Sequence, residues 1–419
     1  MRKPTTHGMS EIVRDGERLA LLRASIPVPA GSAEAEARAL AYAEALLSGA
    51  GPYSRHGLLD ALGFLGASVR VGAGDGLISI SVDTVDTSLQ KTLTLLSHIV
   101  TRPHFSSSEL TRIKKHVANA LELSLEDARG RAYEGFVNAF LEPTDRRYVQ
   151  PLADVMKALA RVTPKDLRRL HDAVRASAWN VVLGGSEESV RRMRRSLSAL
   201  SIATVSSSHP HTGRTVRGGR TLALVDIPHK QNIEFSIGGP LSLRPTERAY
   251  AAFVFGMSVL GIHGGFTGRL MSIVREKEGL TYSIYANVEK ATTSEDGFWR
   301  IATFFNPKDA ERGIRSTLRE IERIRTDGIT EDELRRFKSI LATRFALRDD
   351  SLVRRVGETL GRMNAGLTEA EHAAQREALL SLSVDEVNDA MRTHLSRSFI
   401  VIGGAGPVAK VEPLLRKLV

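Results

Sequence analysis

The chain has 419 residues, a length typical of two or three domains at roughly 150 residues per domain. Its 42% hydrophobic and 25% charged residues exclude a collagen, a coiled coil and wholesale disorder. The 58 Lys and Arg residues exceed the 48 Asp and Glu residues by 10, and the absence of cysteine excludes disulfides, thiolate nucleophiles and Cys-based zinc sites. Because only 5% of the residues are aromatic, we expect aliphatic side chains to fill the core.

The positive charge is spread along the chain. Local clusters occur at residues 191–195 and 354–355, without interleaved aromatic side chains. No helix-turn-helix, zinc-finger or stacking motif accompanies them, so we predict no nucleic-acid binding. A solvated basic surface is the simplest interpretation, and attraction to acidic peptides, partner proteins or polyanions is the alternative.

The expected compartment follows from the lack of a membrane-spanning segment and of a signal peptide in the sequence. No apolar run approaches the ~20 residues that span a bilayer, so we predict no membrane span. No apolar stretch follows the basic residues near Met1, so no signal peptide is expected. The cytoplasm is therefore the expected location, or the periplasm if a leader has been removed.

The first half of the chain leads to a capped helix. The elements predicted before that helix are, in chain order, strands around Ile12 and at residues 19–28, a helix at 33–47, a strand at 77–82 and a helix at 86–100. Phe105 then precedes Ser106-x-x-Glu109. This spacing is typical of a capping box with a hydrophobic staple, and it predicts the start of a long amphipathic helix.

The second half follows a similar plan. Its predicted elements are strands at residues 221–226 and 232–238, a helix at 246–260, a glycine-rich loop at 261–268, a helix at 269–276, strands at 281–288 and 297–305, and a helix at 307–325. Ile329 then precedes Thr330-x-x-Glu333, which predicts a second capped helix.

The order strand, helix, capped helix recurs at an offset of 224 residues, which indicates an internal duplication. Residues 206–219 carry no apolar periodicity and are predicted to be a linker, in which His209 and His211 are interpreted as solvated. We therefore predict two homologous halves, residues 1–205 and 220–419. Each is expected to have an α+β fold, with helices packed on one face of a mainly antiparallel sheet.

The second half also carries the most distinctive motif. Residues 264–283 combine a glycine-rich loop, a short helix and the sequence Arg275-Glu-Lys-x-Gly279-Leu-x-Tyr282. This segment resembles the C-terminal signature of the insulinase/pitrilysin family of zinc peptidases, particularly its two-chain bacterial and processing-peptidase branches. Residues 46–49, 62–67 and 102–105 match weaker positions of that family.

The resemblance implies a His-x-x-Glu-His zinc motif on the first helix and a distal Glu ligand on a later helix. Alignment on residues 46–49 puts Leu40, Ala43 and Glu44 at the required His, Glu and His positions. The distal ligand should fall near Leu121, judged from the following Glu126-Asp127; the neighbouring Glu122 could bind zinc but has no other ligand to join. We therefore predict that this chain binds no zinc and that a homologous partner subunit carries the metal. Glu44 is otherwise expected to be a helix-surface carboxylate.

The resemblance also implies that Arg275 and Tyr282 act across a chamber on the partner's zinc site. Gly279 allows a turn between them, so that both polar ends can reach one place. There the guanidinium would hold a substrate carbonyl and the phenol would donate to the oxyanion. The alternative is a surface arginine beside an ordinary strand tyrosine.

The loop before this helix is the predicted substrate-binding segment. Gly264 and Gly265 would contact extended peptide through exposed backbone N–H groups, and His263 would touch the substrate. The alternatives are a simple helix-to-helix connector and a solvated histidine.

The sequence therefore predicts the zinc-free subunit of a heterodimeric zinc peptidase, inactive alone, that acts on peptides or unfolded segments. Two alternatives remain, a purely structural subunit like the core proteins of the respiratory bc1 complex and a homodimeric peptide-binding chamber.

Overall fold

A computed structural model of the chain describes residues 8–200, 219–262, 267–395 and 399–418. The strands are β1 Met9–Val13, β2 Leu19–Pro27, β3 Gly49–Ala50, β4 Tyr53–Ser54, β5 Ser68–Gly74, β6 Leu77–Val85, β7 Asn180–Gly185, β8 Thr221–Asp226, β9 Ile233–Leu241, β10 Ile284–Glu289, β11 Gly297–Phe305 and β12 Val401–Gly406.

The α-helices are α1 Ala33–Leu46, α2 Arg55–Phe64, α3 Leu89–Thr101, α4 Ser107–Leu125, α5 Ala128–Asn138, α6 Leu152–Arg161, α7 Pro164–Ala176, α8 Glu187–Ala199, α9 Arg248–Gly261, α10 Ala310–Thr326, α11 Glu331–Asp350, α12 Leu352–Asn364, α13 Glu369–Ser381, α14 Val384–His394 and α15 Glu412–Leu415. A π-helical turn lies at Met271–Lys277, and 3₁₀ turns lie at Pro307–Asp309 and Arg416–Leu418.

Two compact units share one sheet topology. The first unit contains the sheet β1-β7-β2-β6-β5, and the second contains β8-β12-β9-β11-β10. In each sheet the first two strands pair in parallel and every other pair is antiparallel. The predicted α+β fold with two mainly antiparallel sheets is thus confirmed.

The two capped helices begin where the sequence predicts. Helices α4 and α11 start at Ser107 and Glu331, which are 224 residues apart. Ser106 Oγ accepts from the N–H of Glu109, and Thr330 Oγ1 accepts from the N–H of Glu333. Because these caps satisfy free N–H groups at a helix start, the same local signal fixes both helices.

The main core of each unit lies between one face of its sheet and a layer of helices. In the first unit, Ala20, Leu22 and Ala24 of β2 alternate toward an aliphatic core that includes the alanines of α1. The core of the second unit is also mostly aliphatic, as expected, but it includes six large aromatic side chains. These are Phe235, Phe253, Phe255, Trp299, Phe305 and Phe337. The low overall aromatic content hides this uneven distribution.

A further helix covers the opposite face of each sheet. In the first unit, Leu352 and Val356 of α12 pack on Leu21 and Val182, which point away from the main core. In the second unit, Phe136 of α5 packs in the same way among side chains of β11 and β12. Central strands β7 and β12 are consequently buried on both faces.

These covering helices are exchanged between the two halves of the sequence. The first unit comprises residues 8–122, 150–200 and 346–366, and the second takes the other described residues, including 123–149. The predicted halves 1–205 and 220–419 describe the sequence repeat and stay a prediction. Each compact unit, in contrast, combines residues from both halves. Most of the predicted linker, residues 206–218, lies outside the described residues.

Candidate functional site

The positions that the resemblance assigns to zinc ligands are part of the helical layer. Ser32 caps α1, its hydroxyl accepting from the N–H of Ala35 at 3.2 Å. On this helix Ala43 is buried and Leu40 is partly buried, both packed into the main core of the first unit. Leu121 of α4 is buried in the same core. Since aliphatic side chains offer no donor atoms, these residues do not fit a zinc ion.

Glu44 is the remaining polar group at these positions. Its carboxylate Oε1 lies 3.6 Å from Nε2 of His116 on α4, and both side chains are substantially exposed. Sequence reasoning did not single out His116, because only packing of the two helices brings it near Glu44. Within the described part of the chain, no three His, Asp or Glu side chains gather as a metal ion requires. Absence of bound zinc stays a prediction.

A buried tyrosine joins α1 to α7 beside these positions. The hydroxyl of Tyr42 lies 3.0 Å from Nδ1 of His171, and both residues are buried. Burial raises the pKa of the Tyr42 phenol. Burial, helped by the charge of Arg175, lowers the pKa of His171, with Asp172 acting in the opposite direction. These groups therefore serve as a neutral structural contact.

Arg275 and Tyr282 lie together on the surface of the second unit. The guanidinium carbon of Arg275 is 4.6 Å from the centre of the Tyr282 ring, a cation–π contact. The tyrosine is 69% exposed. Arg275 is half-buried, so the pair places a partly covered guanidinium beside an exposed phenol ring.

The backbone between them departs from the predicted regular helix. Arg275 lies in the π-helical turn, in which the N–H of Glu278 donates to the carbonyl of Ile273, five residues earlier, at 2.9 Å. Gly279 then adopts a φ of +65°, which favours glycine and reverses the chain as predicted. The following strand, β10, begins at Ile284 rather than at residue 281. π-Helical turns are rare and often occur at functional sites.

A cluster of hydroxyls fixes the start of β10. Thr281 and Thr303 are buried, and the hydroxyls of both donate to the carbonyl oxygen of Ser283, at 3.2 and 3.1 Å. The peptide around Tyr282 is therefore held to β11 while its ring stays exposed. The threonines were not singled out from the sequence, because their role depends on the register of β10 against β11.

The structure describes only part of the predicted substrate-binding loop. His263, Gly264 and Gly265 lie outside the described residues. Helix α9 ends at Gly261, and Arg269 after the loop is fixed by Glu333 through two hydrogen bonds of 2.8 and 2.7 Å. Contact of the loop with peptide stays a prediction.

Comparison with known proteins finds sequences similar to this chain. The family profile described as Peptidase M16 inactive domain matches residues 206–341. The non-peptidase homolog YmxG of Helicobacter pylori is 23% identical over 335 residues, which span 76% of this chain and 74% of the relative. The uncharacterized zinc protease SCO5738 of Streptomyces coelicolor is 25% identical over 226 residues, 51% of this chain and 48% of that protein. These matches confirm the predicted family resemblance.

Solved structures show the same fold over nearly the whole chain. A peptidase M16 inactive domain from Pseudomonas fluorescens has a TM-score of 0.78 at 21% identity, covering 95% of both chains. A chain of complex III2 from Candida albicans has a TM-score of 0.73 at 15% identity, covering 97% of this chain and 96% of the other. Within the described residues, no helix is long and apolar enough to cross a membrane.

Proposed function

We propose that this chain, in which residues 206–341 match the profile described as Peptidase M16 inactive domain, is the zinc-free subunit of a two-chain zinc peptidase. The observation that carries the proposal is a contrast between the halves. The first half has aliphatic side chains, Leu40, Ala43 and Leu121, where the family's metal ligands are expected. The second half keeps Arg275 and Tyr282 in contact with each other, with the Tyr282 ring exposed.

In this function the two side chains complete a site on the partner subunit. The partner supplies zinc, its ligands and the general base that activates water. Arg275 would hold a substrate carbonyl oxygen, and the hydroxyl of Tyr282 would donate to the oxyanion that forms on attack. Donors placed before reaction need no rearrangement as charge develops, and each is typically worth about 100- to 1000-fold in rate.

The sheets offer a way to hold the peptide. Among the described residues, β5 and β10 each pair on one side only, so each is an edge strand. An extended peptide can add to such an edge through main-chain hydrogen bonds, with little selection among side chains. Strand β10 begins two residues after Tyr282, which brings a peptide-accepting edge close to the proposed donors. The positive charge of the chain would weakly favour acidic peptides.

A purely structural role is the second candidate. The match to a chain of complex III2 supports it, because this fold also occurs in an assembly whose name gives no peptidase activity. In that case Arg275 and Tyr282 would have no effect on any turnover. A homodimeric peptide-binding chamber is a third arrangement, distinguished by its association state.

Reconstitution tests the proposal. The chain is purified alone and with a homologous chain that contains an intact His-x-x-Glu-His motif, and peptide hydrolysis and zinc content are measured for each. We expect no hydrolysis and no stoichiometric zinc for the chain alone, and hydrolysis by the mixture above that of the partner alone. One zinc per isolated chain would overturn the proposal, and so would a partner whose activity is unaffected by this chain. A size measurement on the isolated chain shows whether it forms the homodimer of the third arrangement.

A further inference from the structure

We propose that Glu278 is a positioning residue, which holds the π-helical turn against α10 so that Arg275 and Tyr282 stay stacked. Its catalytic consequence rests on the function proposed above. Its structural consequence concerns this chain alone and can be measured without a partner.

Glu278 closes the π-helical turn through both its backbone and its side chain. Its N–H donates to the carbonyl oxygens of Ile273 and Arg275. Its carboxylate accepts hydrogen bonds from Ser316 and Arg319, one turn apart on α10. The guanidinium of Arg319 also donates to the Ser316 hydroxyl at 2.9 Å. A closed triangle of hydrogen bonds therefore ties the end of the turn to a helix.

This triangle is partly exposed. Ser316 is buried, the side chain of Glu278 is 20% exposed and that of Arg319 is 49% exposed. Partial burial would raise the pKa of Glu278, but the hydrogen bonds from Ser316 and Arg319 together hold that pKa below its usual value. The carboxylate thus remains ionised at neutral pH, and charge-assisted hydrogen bonds are stronger than neutral ones.

One side of the π-helical turn borders a cavity. A cavity of about 500 Å³ lies along Ser272 and Ile273, with further walls from Arg323 on α10 and Phe337 on α11. Side chains that line a cavity lack partner atoms on that side. On its other side the turn is anchored by Met271 and Val274, which are buried in the main core of the second unit, and the bonds of Glu278 fix its end.

The other end of the segment is held separately. Thr281 and Thr303 bind the carbonyl oxygen of Ser283, which fixes the chain directly after Tyr282. Glu278 lies three positions after Arg275 and four positions before Tyr282. With both ends fixed, the stacked geometry is selected among the conformations that the Gly279 turn allows.

Nuclear magnetic resonance of the isolated chain tests this role. The Nε–Hε proton of Arg275 lies near the Tyr282 ring, so its resonance carries a ring-current shift, defined as the difference from a Tyr282→Leu variant. We expect Glu278→Ala to lose most of this shift and Glu278→Gln to lose part of it, because an amide can still accept one hydrogen bond. Glu311→Ala is the matched control. The carboxylate of Glu311 pairs with Arg315 on the exposed side of α10, the helix that also carries Ser316 and Arg319.

A wild-type ring-current shift in Glu278→Ala would overturn the inference, even if that variant were less stable. Thermal unfolding of each variant shows whether a lost shift reflects global unfolding, and Glu278→Gln remains informative if Glu278→Ala does not fold. In a reconstituted complex, Glu278→Ala should lower kcat by about 10- to 100-fold through misplacement of the donors. If the shift is lost while Arg275→Ala keeps full turnover, Glu278 positions the pair and the proposed function fails instead.

Discussion

An added Cβ on Gly403 would lie 2.2 Å from the carbonyl oxygen of Ala132, so strand β12 and helix α5 meet backbone to backbone. Helix α5 precedes β12 by more than 260 residues in the sequence, yet it covers the second face of that strand's sheet. Glycine at this position is thus required by a contact between distant parts of the chain.

Replacement of Gly403 tests this close approach. We expect Gly403→Ala to lower the free energy of unfolding of the second unit by about 1–3 kcal/mol, because the methyl group overpacks the interface. Gly357 of α12 is the control, since a Cβ added there meets no atom within 4 Å. Gly357→Ala should instead stabilise the first unit by about 0.5–1 kcal/mol through helix propensity. Denaturant titration measures both, and an unaltered Gly403→Ala variant would contradict the contact.

Catalytic support by the stacked pair is tested in the reconstituted complex. We expect Arg275→Ala and Tyr282→Phe each to lower kcat/KM by about 100- to 1000-fold, because each removes one donor to the substrate. Lys277→Ala, an exposed change in the same turn, should leave turnover unchanged. Size-exclusion chromatography shows whether the complex still forms. Full activity in both variants would leave the structural role as the better description.

The two helix caps differ in completeness, which predicts different costs. Thr330 forms a full capping box, in which its own N–H also donates to the Glu333 carboxylate at 2.9 Å. In the first half, the carboxylate of Glu109 binds Arg112 instead. We therefore expect Thr330→Ala to cost about 1–2 kcal/mol and Ser106→Ala about 0.5–1 kcal/mol. The Thr330 hydroxyl also donates to the Glu333 carboxylate at 3.3 Å, and Thr330→Ala removes this bond as well as the cap. Equal losses of unfolding free energy in denaturant would show that this additional bond contributes nothing.

The buried contact between Tyr42 and His171 predicts a pH dependence of stability. The pKa of His171 is lowered in the folded chain, so the unfolded chain, with a histidine pKa of about 6.5, binds more protons below that pH. Stability should therefore be complete above about pH 6.5 and fall as the pH drops toward the folded pKa.

His171→Gln keeps a polar partner for Tyr42 but does not titrate, so its unfolding free energy should vary less between about pH 7 and 5. His56→Gln, which replaces an exposed histidine, is the control and should keep the wild-type slope. A wild-type slope in His171→Gln would show that other groups cause the acid destabilisation.

The sequence by itself determined the repeat, most of the secondary structure and the candidate pair. Capping at Ser106 and Thr330 and alternation in β6 are local signals, since they depend on residues within one or two turns of the chain. That Leu40 and Ala43 cannot bind zinc is likewise a matter of residue identity, because an aliphatic side chain cannot coordinate zinc in any conformation.

Only the tertiary structure decided which segments that are far apart in the sequence contact each other. The exchange of α5 and α12 leaves no trace in periodicity, because an amphipathic helix shows that it has a partner face without showing which sheet provides it. The contacts of Glu278 with α10 and of Thr303 with the peptide after Tyr282 depend on the same long-range packing. Side chains far apart in sequence meet only once the sheets and helices have fixed their register. Local patterns therefore predicted Arg275 and Tyr282 as candidates but could not predict which groups hold them in place.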